Sequence, residues 1–330
     1  MSKTCNWGII GPGRIAHKFA QDLTGLKNAR LHAVASRSLE RAQAFAGEYG
    51  ASHVFGSYEE ILECPDLDIV YIATPHTGHC AYTIKCLEAG IPVLCEKPFA
   101  MNLAEAEKMI ETARRRRVFL MEAIWTRFMP KIRQAADWIS EGAIGEVISV
   151  KADFGFPAPM NPEGRLFNPD LGGGALLDIG IYPAFLNLLF LGYPSKITAV
   201  AHFSDTGVDD EVAATLEYPA GQMGHIHATI RNRTKTEAFI HGTKGVIHFH
   251  PHWFRPGNLS LIPEGDRPQD VYFETAGNGY QFEAEECMHC LDAGKPESDL
   301  LPLSFSLDLM RLLDAIRKEI GLVYPADGKE

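Results

Sequence analysis

The chain has 330 residues, 46% of them apolar, with a formal net charge of −11. That length suits two domains, and the acidic balance excludes a nucleic-acid binder, which needs a basic face. No apolar run approaches the ~20 residues of a membrane span, and "MSKTCNWGII" lacks a long apolar leader core. Seven cysteines, an odd number, fit free thiols in a reducing compartment, so a cytoplasmic location is expected.

The first element is an apolar strand, Trp7 to Ile10. Gly11-Pro12-Gly13-Arg14-Ile15-Ala16 follows and fits G-x-G-x-x-G/A. Gly11 permits the turn, Gly13 lets backbone approach a pyrophosphate, and Ala16 lets the next helix pack closely. The helix N-terminus then offers N–H groups to phosphate. A dinucleotide site built from residues 11–15 is expected.

The second strand, residues 29–37, ends with Ser36 and Arg37, and Arg41 follows one helical turn later. An NAD site usually has a carboxylate here for the ribose. A hydroxyl and two guanidiniums suit a 2′-phosphate instead, so NADP(H) is the expected coenzyme.

Alternation continues through a strand at 53–55, a helix from Ser57 with Glu60 in a capping box, and a buried strand at 67–74. A helix at 77–89 is stopped by Gly90. Next come a strand at 91–95, a helix at 102–116 and a strand at 118–123. The basic run Arg114 to Arg117 favours the negative end of its helix. Such alternation predicts a parallel sheet in an α/β Rossmann domain over residues 1–123, whose ligands bind at the carboxyl ends of the strands. Thr74, Pro75 and His76 lie at one such end. Glu96, Lys97 and Pro98 lie at another, which puts Lys97 beside a bound nicotinamide, and a cis Lys97–Pro98 bond is possible there.

From residue 124 the pattern changes. A crossing helix precedes strands at 145–156, 196–204, 211–219, 223–231, 236–242, 244–250 and 259–264, joined largely by short turns. A large, mainly antiparallel sheet in an α+β domain is predicted over 124–330. The amphipathic helix at about 303–320 can pack back on the first domain. Apolar residues on the uncovered sheet face imply a homodimer.

Within this half, Asp178 and Tyr182 share a helix face if the helix has begun by residue 178. A phenol is too weak an acid for a base at neutral pH, but a nearby ammonium favours the phenolate. Lys97 can supply that charge, with Tyr182 as the acid/base. His248, His250 and His252 have period-two spacing and read as surface histidines on one strand face. Cys287 and Cys290 read as ordinary helix cysteines, so no metal is expected.

Three motifs in this order carry a resemblance: the N-terminal G-x-G-x-x-A, Cys95-Glu96-Lys97-Pro98, and Asp178-x-Gly180-x-Tyr182. The chain resembles the glucose-fructose oxidoreductase/inositol dehydrogenase (Gfo/Idh/MocA) family over nearly its whole length. Within it, Ser57–Leu62, "FLMEAIWTRF" (119–128), "GGALLDIGIY" (173–182), "TGVDD" (206–210) and "GTKG" (242–245) are similar to the dihydrodiol dehydrogenase and NADP-dependent D-xylose dehydrogenase branch, the subset with tyrosine at 182 where many relatives carry histidine.

The resemblance implies that Lys97 and Tyr182 are catalytic and that Arg37 and Arg41 hold the 2′-phosphate. It also implies that His76, His79, Trp125 and Phe154 line the substrate pocket. Arg127 and Asp178 join the expected substrate set, and His79 is expected to touch the coenzyme as well. Residues 160–171 depart from the family pattern and are expected in a substrate-side loop at 157–172. The implied activity is NADP(H)-dependent oxidation or reduction at a CH–OH group of a sugar or cyclic diol. The alternative is a non-catalytic NADP(H) sensor or co-regulator of the same fold. Intact Lys97 and Tyr182 and the lack of a DNA-binding segment favour the enzyme.

Overall fold

A computed structural model describes residues 4–328. It divides into two compact units. One comprises the chain up to Phe128 with Thr275–Leu307, and the other Met129–Glu274 with the residues from Asp308 onward.

The first unit begins with β1 (Cys5–Ile10), α1 (Arg14–Leu23), β2 (Ala29–Ala35), α2 (Leu39–Tyr49) and β3 (His53–Phe55). β4 (Ile69–Ile72), α3 (His79–Glu88), β5 (Val93–Glu96), α4 (Leu103–Arg116) and β6 (Leu120–Ala123) follow. The strands form one sheet in the order β3-β2-β1-β4-β5-β6, and every pairing is parallel. This is the doubly wound dinucleotide-binding order, with its reversal between β1 and β4. Ile69, Val70, Tyr71 and Ile72 are fully buried, as expected of a central strand covered on both faces.

The helix expected from Ser57 forms only a 3₁₀ turn, Glu60–Glu63. One capping bond forms, with Ser57 Oγ accepting from the Glu60 N–H at 3.3 Å, while the Glu60 carboxylate accepts from the Gly56 N–H at 3.2 Å rather than from Ser57. Pro65 stops the continuation, because it restricts Cys64 to extended backbone, where the chain is found (ψ 122°).

The second unit contains α5 (Pro130–Ser140), β7 (Val147–Gly155), a π-helical turn at Leu176–Gly180, and α6 (Ile181–Leu191). Then come β8 (Lys196–Phe203), β9 (Asp209–Glu217), β10 (Met223–Thr229), β11 (Ala238–Gly242), β12 (Gly245–Phe249), β13 (Asn258–Pro263) and β14 (Gln269–Tyr272). They form one eight-stranded sheet in the order β14-β13-β12-β11-β7-β10-β9-β8. β7 and β10 run parallel and the remaining pairs antiparallel. β14 lacks a strong β pattern and escapes sequence reading. β12 ends at Phe249, so His248, His250 and His252 do not share one strand face; His252 has a left-handed backbone (φ 64°).

α6 packs against β7 and β10. Ile181 through Leu188 are all buried, which marks a core helix apolar all round. The stretch Pro169–Leu191 is long and apolar enough to cross a membrane by length and composition, and its most apolar window has a mean hydropathy of 1.7 and is 83% buried in the folded chain. This corrects the expectation that no apolar run reaches that length.

The returning segment carries α7 (Gln281–Asp292) and the start of α8 (Leu303–Ile320), within which the division between the units falls. Asp22, at the end of α1, anchors it. Its carboxylate accepts the backbone N–H groups of Asn278, Gly279 and Tyr280, each at 2.9 Å. Cys287 and Cys290 are buried on α7.

Candidate active site

The turn after β1 has the shape a dinucleotide needs. Gly11 has φ +89°, and a Cβ there would lie 2.9 Å from the Ala73 carbonyl oxygen. Only glycine fits. The Gly11 N–H donates to Ala35 O at 3.1 Å and the Gly13 N–H to Gly11 O at 2.7 Å. Gly13 is the N-cap of α1, with no side-chain cap and no acidic residue in the first turn. Arg14 and Ile15 open that turn, Pro12 is buried before it, and Ala16 is fully buried. This helix end presents N–H groups and the positive end of its dipole, so it fits a pyrophosphate.

At the end of β2, Ser36 is buried, and its Oγ accepts from the Ser38 N–H at 3.2 Å. Arg37 and Arg41 are exposed, and no carboxylate occupies the strand end. Neither arginine forms an ion pair among the described residues.

The ends of β4 and β5 are tied together by His79. Its Nδ1 lies 2.8 Å from the Pro98 carbonyl and its Nε2 3.0 Å from the Thr74 carbonyl. Two acceptors suit a doubly protonated ring, but complete burial opposes that charge and pushes the pKa down to about 4. Burial prevails, because charging an enclosed ring costs more than one neutral hydrogen bond gains. The ring is therefore neutral. His79 was expected to touch coenzyme and substrate. It is fully buried, with both ring nitrogens on backbone carbonyls at the two strand ends. His76 is also buried, beside it, with ring centroids 5.8 Å apart, and Thr74 and Pro75 complete this end of β4.

Lys97 follows β5, is half-buried, and is joined to Pro98 by a cis bond. Three groups hold the turn it sits on. The Glu96 carboxylate accepts the Lys97 backbone N–H at 3.0 Å and the Tyr71 hydroxyl. His79 meets the Pro98 carbonyl. Glu122, directly across from Cys95 on β6, accepts the Phe99 N–H at 3.1 Å. Burial pushes the Glu122 carboxyl up to about 7. Behind this turn lies Glu283, fully buried, with neither carboxylate oxygen hydrogen-bonded among the described residues. Burial first, then the Glu96 and Asp22 charges, raise its pKa well above the usual carboxylate range. Sequence reading overlooked Tyr71, Glu122 and Glu283, because nothing in their spacing marks a partner many residues away.

Trp125 is buried and stacks on Tyr280, with centroids 4.4 Å apart and planes at 20°. Arg127 was expected near substrate, and its Nε–H donates to the Leu300 carbonyl at 2.8 Å. That bond tethers the returning segment.

In the second unit the helical run has begun by residue 178, through the π turn. Asp178 is buried and pairs with Arg165, whose second nitrogen lies 3.4 Å from Asp178 Oδ2. Arg165 comes from the 157–172 loop and was not anticipated. Tyr182 is buried at the start of α6. Its ring centroid lies 5.6 Å from Phe154 and 5.4 Å from Phe254, and those two phenylalanines stack at 4.1 Å. Phe254 is a second omission, brought beside β7 by the turn after β12. Trp253 Nε1 fixes that turn by donating to the Asp153 carbonyl at 2.9 Å. A phenol set among aromatic rings offers an apolar wall and one polar atom, as small-molecule sites commonly do.

The parallel sheet order, the glycine turn against Ala73 and the uncapped α1 define a dinucleotide-binding protein of two units. Residues 5–124 match the oxidoreductase family with an NAD-binding Rossmann fold, and residues 132–248 match the GFO/IDH/MocA C-terminal domain. The chain belongs to the Gfo/Idh/MocA family and is an NAD(P)-dependent dehydrogenase or reductase. It is 38% identical to trans-1,2-dihydrobenzene-1,2-diol dehydrogenase of Mus musculus, covering 97% of this chain and 98% of that one. The human protein of that name is 38% identical over 97% and 98%. Among solved structures, aldose-aldose oxidoreductase of Caulobacter crescentus, complexed with glycerol, has a TM-score of 0.88 at 25% identity, covering 96% and 97% of the two chains. KijD10, a 3-ketoreductase of Actinomadura kijaniata bound to NADP and TDP-benzene, has a TM-score of 0.85 at 29% identity, covering 96% and 98%.

Proposed function

We propose that this chain is an NADP(H)-dependent dehydrogenase that interconverts a secondary alcohol or lactol with a ketone or lactone on a sugar or cyclic diol. The first unit would bind the coenzyme and the second the substrate. The observation that carries the coenzyme choice is the end of β2, with Ser36, Arg37 and Arg41 and no carboxylate. A 2′-phosphate there gains charge-assisted hydrogen bonds, and a carboxylate would have repelled it. The NADP-bound 3-ketoreductase supports the same reading.

When bound, the nicotinamide supplies the hydride acceptor or donor. In the oxidation direction the substrate carbon loses a hydride, and its hydroxyl proton passes to Tyr182 Oη. The Lys97 ammonium favours the phenolate that accepts this proton. The clamped turn at 97–99 fixes the backbone that carries the amine, and Phe154 and Phe254 flank the phenol. The relatives named for a dihydrodiol and for aldoses support the substrate class.

We also infer a homodimer through the sheet face away from α6, where Val200 is 69% exposed on β8. An intracellular location agrees with seven free thiols.

Turnover of Tyr182→Phe and of Lys97→Met, measured by NADPH absorbance over a panel of aldoses, inositols, dihydrodiols and dicarbonyls, tests the chemistry. Each is expected to fall by ~10²-fold or more while NADPH still binds. Near-normal turnover in both variants would overturn the mechanism.

A further inference from the structure

Away from the Lys97 turn, the first unit gathers three metal-type donors from separate elements. His32 comes from β2, His53 opens β3, and Cys64 follows the 3₁₀ turn. One nitrogen from each imidazole and the Cys64 sulfur all lie within 4.8 Å of one another. The strand pairing makes this compact, because Ala33, next to His32, is the partner of His53. The two rings sit 4.5 Å apart at 59°.

The state of His32 is informative. It is 5% exposed, and its Nε2 lies 2.9 Å from the Pro65 carbonyl. A carbonyl only accepts, so Nε2 carries a hydrogen, and the neutral ring then has its lone pair on Nδ1. Nδ1 is buried without a hydrogen-bond partner among the described residues. A backbone carbonyl that fixes one imidazole nitrogen is the usual support for a histidine that binds metal through the other. Cys64 is buried and His53 half-buried, so the cluster is enclosed on one side and reachable on the other.

We propose that His32, His53 and Cys64 form a binding site for a borderline-soft divalent cation of the zinc class. Two imidazoles and a thiolate select such an ion over magnesium or calcium, which take oxygen ligands. Binding displaces the Cys64 thiol proton to solvent and forms a metal–sulfur bond, with no change of oxidation state. His32 binds through Nδ1 and keeps its Nε2–H on Pro65, which leaves neither ring nitrogen unsatisfied. Water entering past His53 completes the coordination. Tetrahedral zinc with bonds of about 2.0–2.3 Å sets its ligand atoms roughly 3.5 Å apart, so modest side-chain rotation closes the site. The ion would brace β2, β3 and the turn before Pro65. It has no part in the hydride chemistry.

The test uses the full chain, stripped with chelator and titrated with zinc or cobalt(II). One equivalent of zinc should be retained through dialysis, and cobalt should give a near-ultraviolet sulfur-to-metal charge-transfer band. Cys64→Ser should abolish that band, His53→Gln should weaken zinc binding by about tenfold or more, and Cys287→Ser should change neither. His53 is half-buried, so its variant tests the site even if Cys64→Ser folds poorly. Wild-type protein that retains no zinc after micromolar loading overturns the proposal. So does metal binding that is unchanged in His53→Gln or Cys64→Ser.

Discussion

Arg165 and Asp178 meet as a two-pronged ion pair that fastens the 157–172 loop to the π turn leading into α6 and Tyr182. The arginine side chain is 50% exposed and the aspartate 8%. The pair thus has one wet partner and one dry one, and the dry one depends on its bonds. Arg165→Met should destabilise the second unit by about 1–3 kcal/mol, the loss of charge-assisted hydrogen bonds to a largely buried carboxylate. Asp178→Asn should cost less in a chain that already carries Arg165→Met than in the wild type. Urea unfolding of the wild type, the two single variants and the double variant measures this, and additive effects would show that the pair carries no coupling.

The end of β2 makes a prediction about coenzyme choice. Arg37→Ala and Arg41→Ala should each raise the KM for NADP by ~10-fold or more, since a hydrogen bond to a charged group contributes about 1.5–3 kcal/mol. The KM for NAD should barely move, because it has no 2′-phosphate. A wild-type enzyme that prefers NAD would refute the assignment.

Glu122 holds the Phe99 N–H and so steadies the turn that carries Lys97. Glu122→Leu is expected to lower kcat by about tenfold, as a small misplacement of a reacting group can, with the NADPH dissociation constant unchanged. Glu122→Gln keeps an acceptor oxygen and should largely restore kcat. If Glu122→Leu loses stability but keeps its kcat, the residue serves folding alone.

Glu283 predicts the pH dependence of stability. Its pKa in the folded chain lies well above the usual carboxylate range, because burial disfavours the anion. The unfolded chain ionises near pH ~4.3. Above that pH the folded state holds a proton that the unfolded state has lost. The stabilisation is therefore complete below about pH 4 and is lost as pH rises toward the folded pKa. Glu283→Gln should flatten this loss, so the variant gains stability relative to wild type from about pH 5 to about pH 8. Denaturant midpoints at the two values decide it, and an unchanged difference would refute the burial argument.

Much of the architecture was legible in the chain. The G-x-G-x-x-A turn, the alternation of strands and helices and the charge at the end of β2 are short-range signals written within a few residues. Seven of the eight strands of the second unit showed as runs joined by short turns, and β14 did not. The 3₁₀ turn at Glu60 shows the limit of such reading, because the Ser57 cap was overruled by a proline beyond it.

By itself, then, the sequence determined the two-part fold, the dinucleotide turn and the family, because backbone periodicity and glycine geometry are local properties of a polypeptide. Only the tertiary structure decided that His79 faces two carbonyls, that Arg165 reaches Asp178, that Phe254 joins Phe154 and Tyr182, and that Asp22 captures the backbone of residues 278–280. These pairings join groups distant along the chain, and their energies depend on burial and direction, which exist only once the chain has folded.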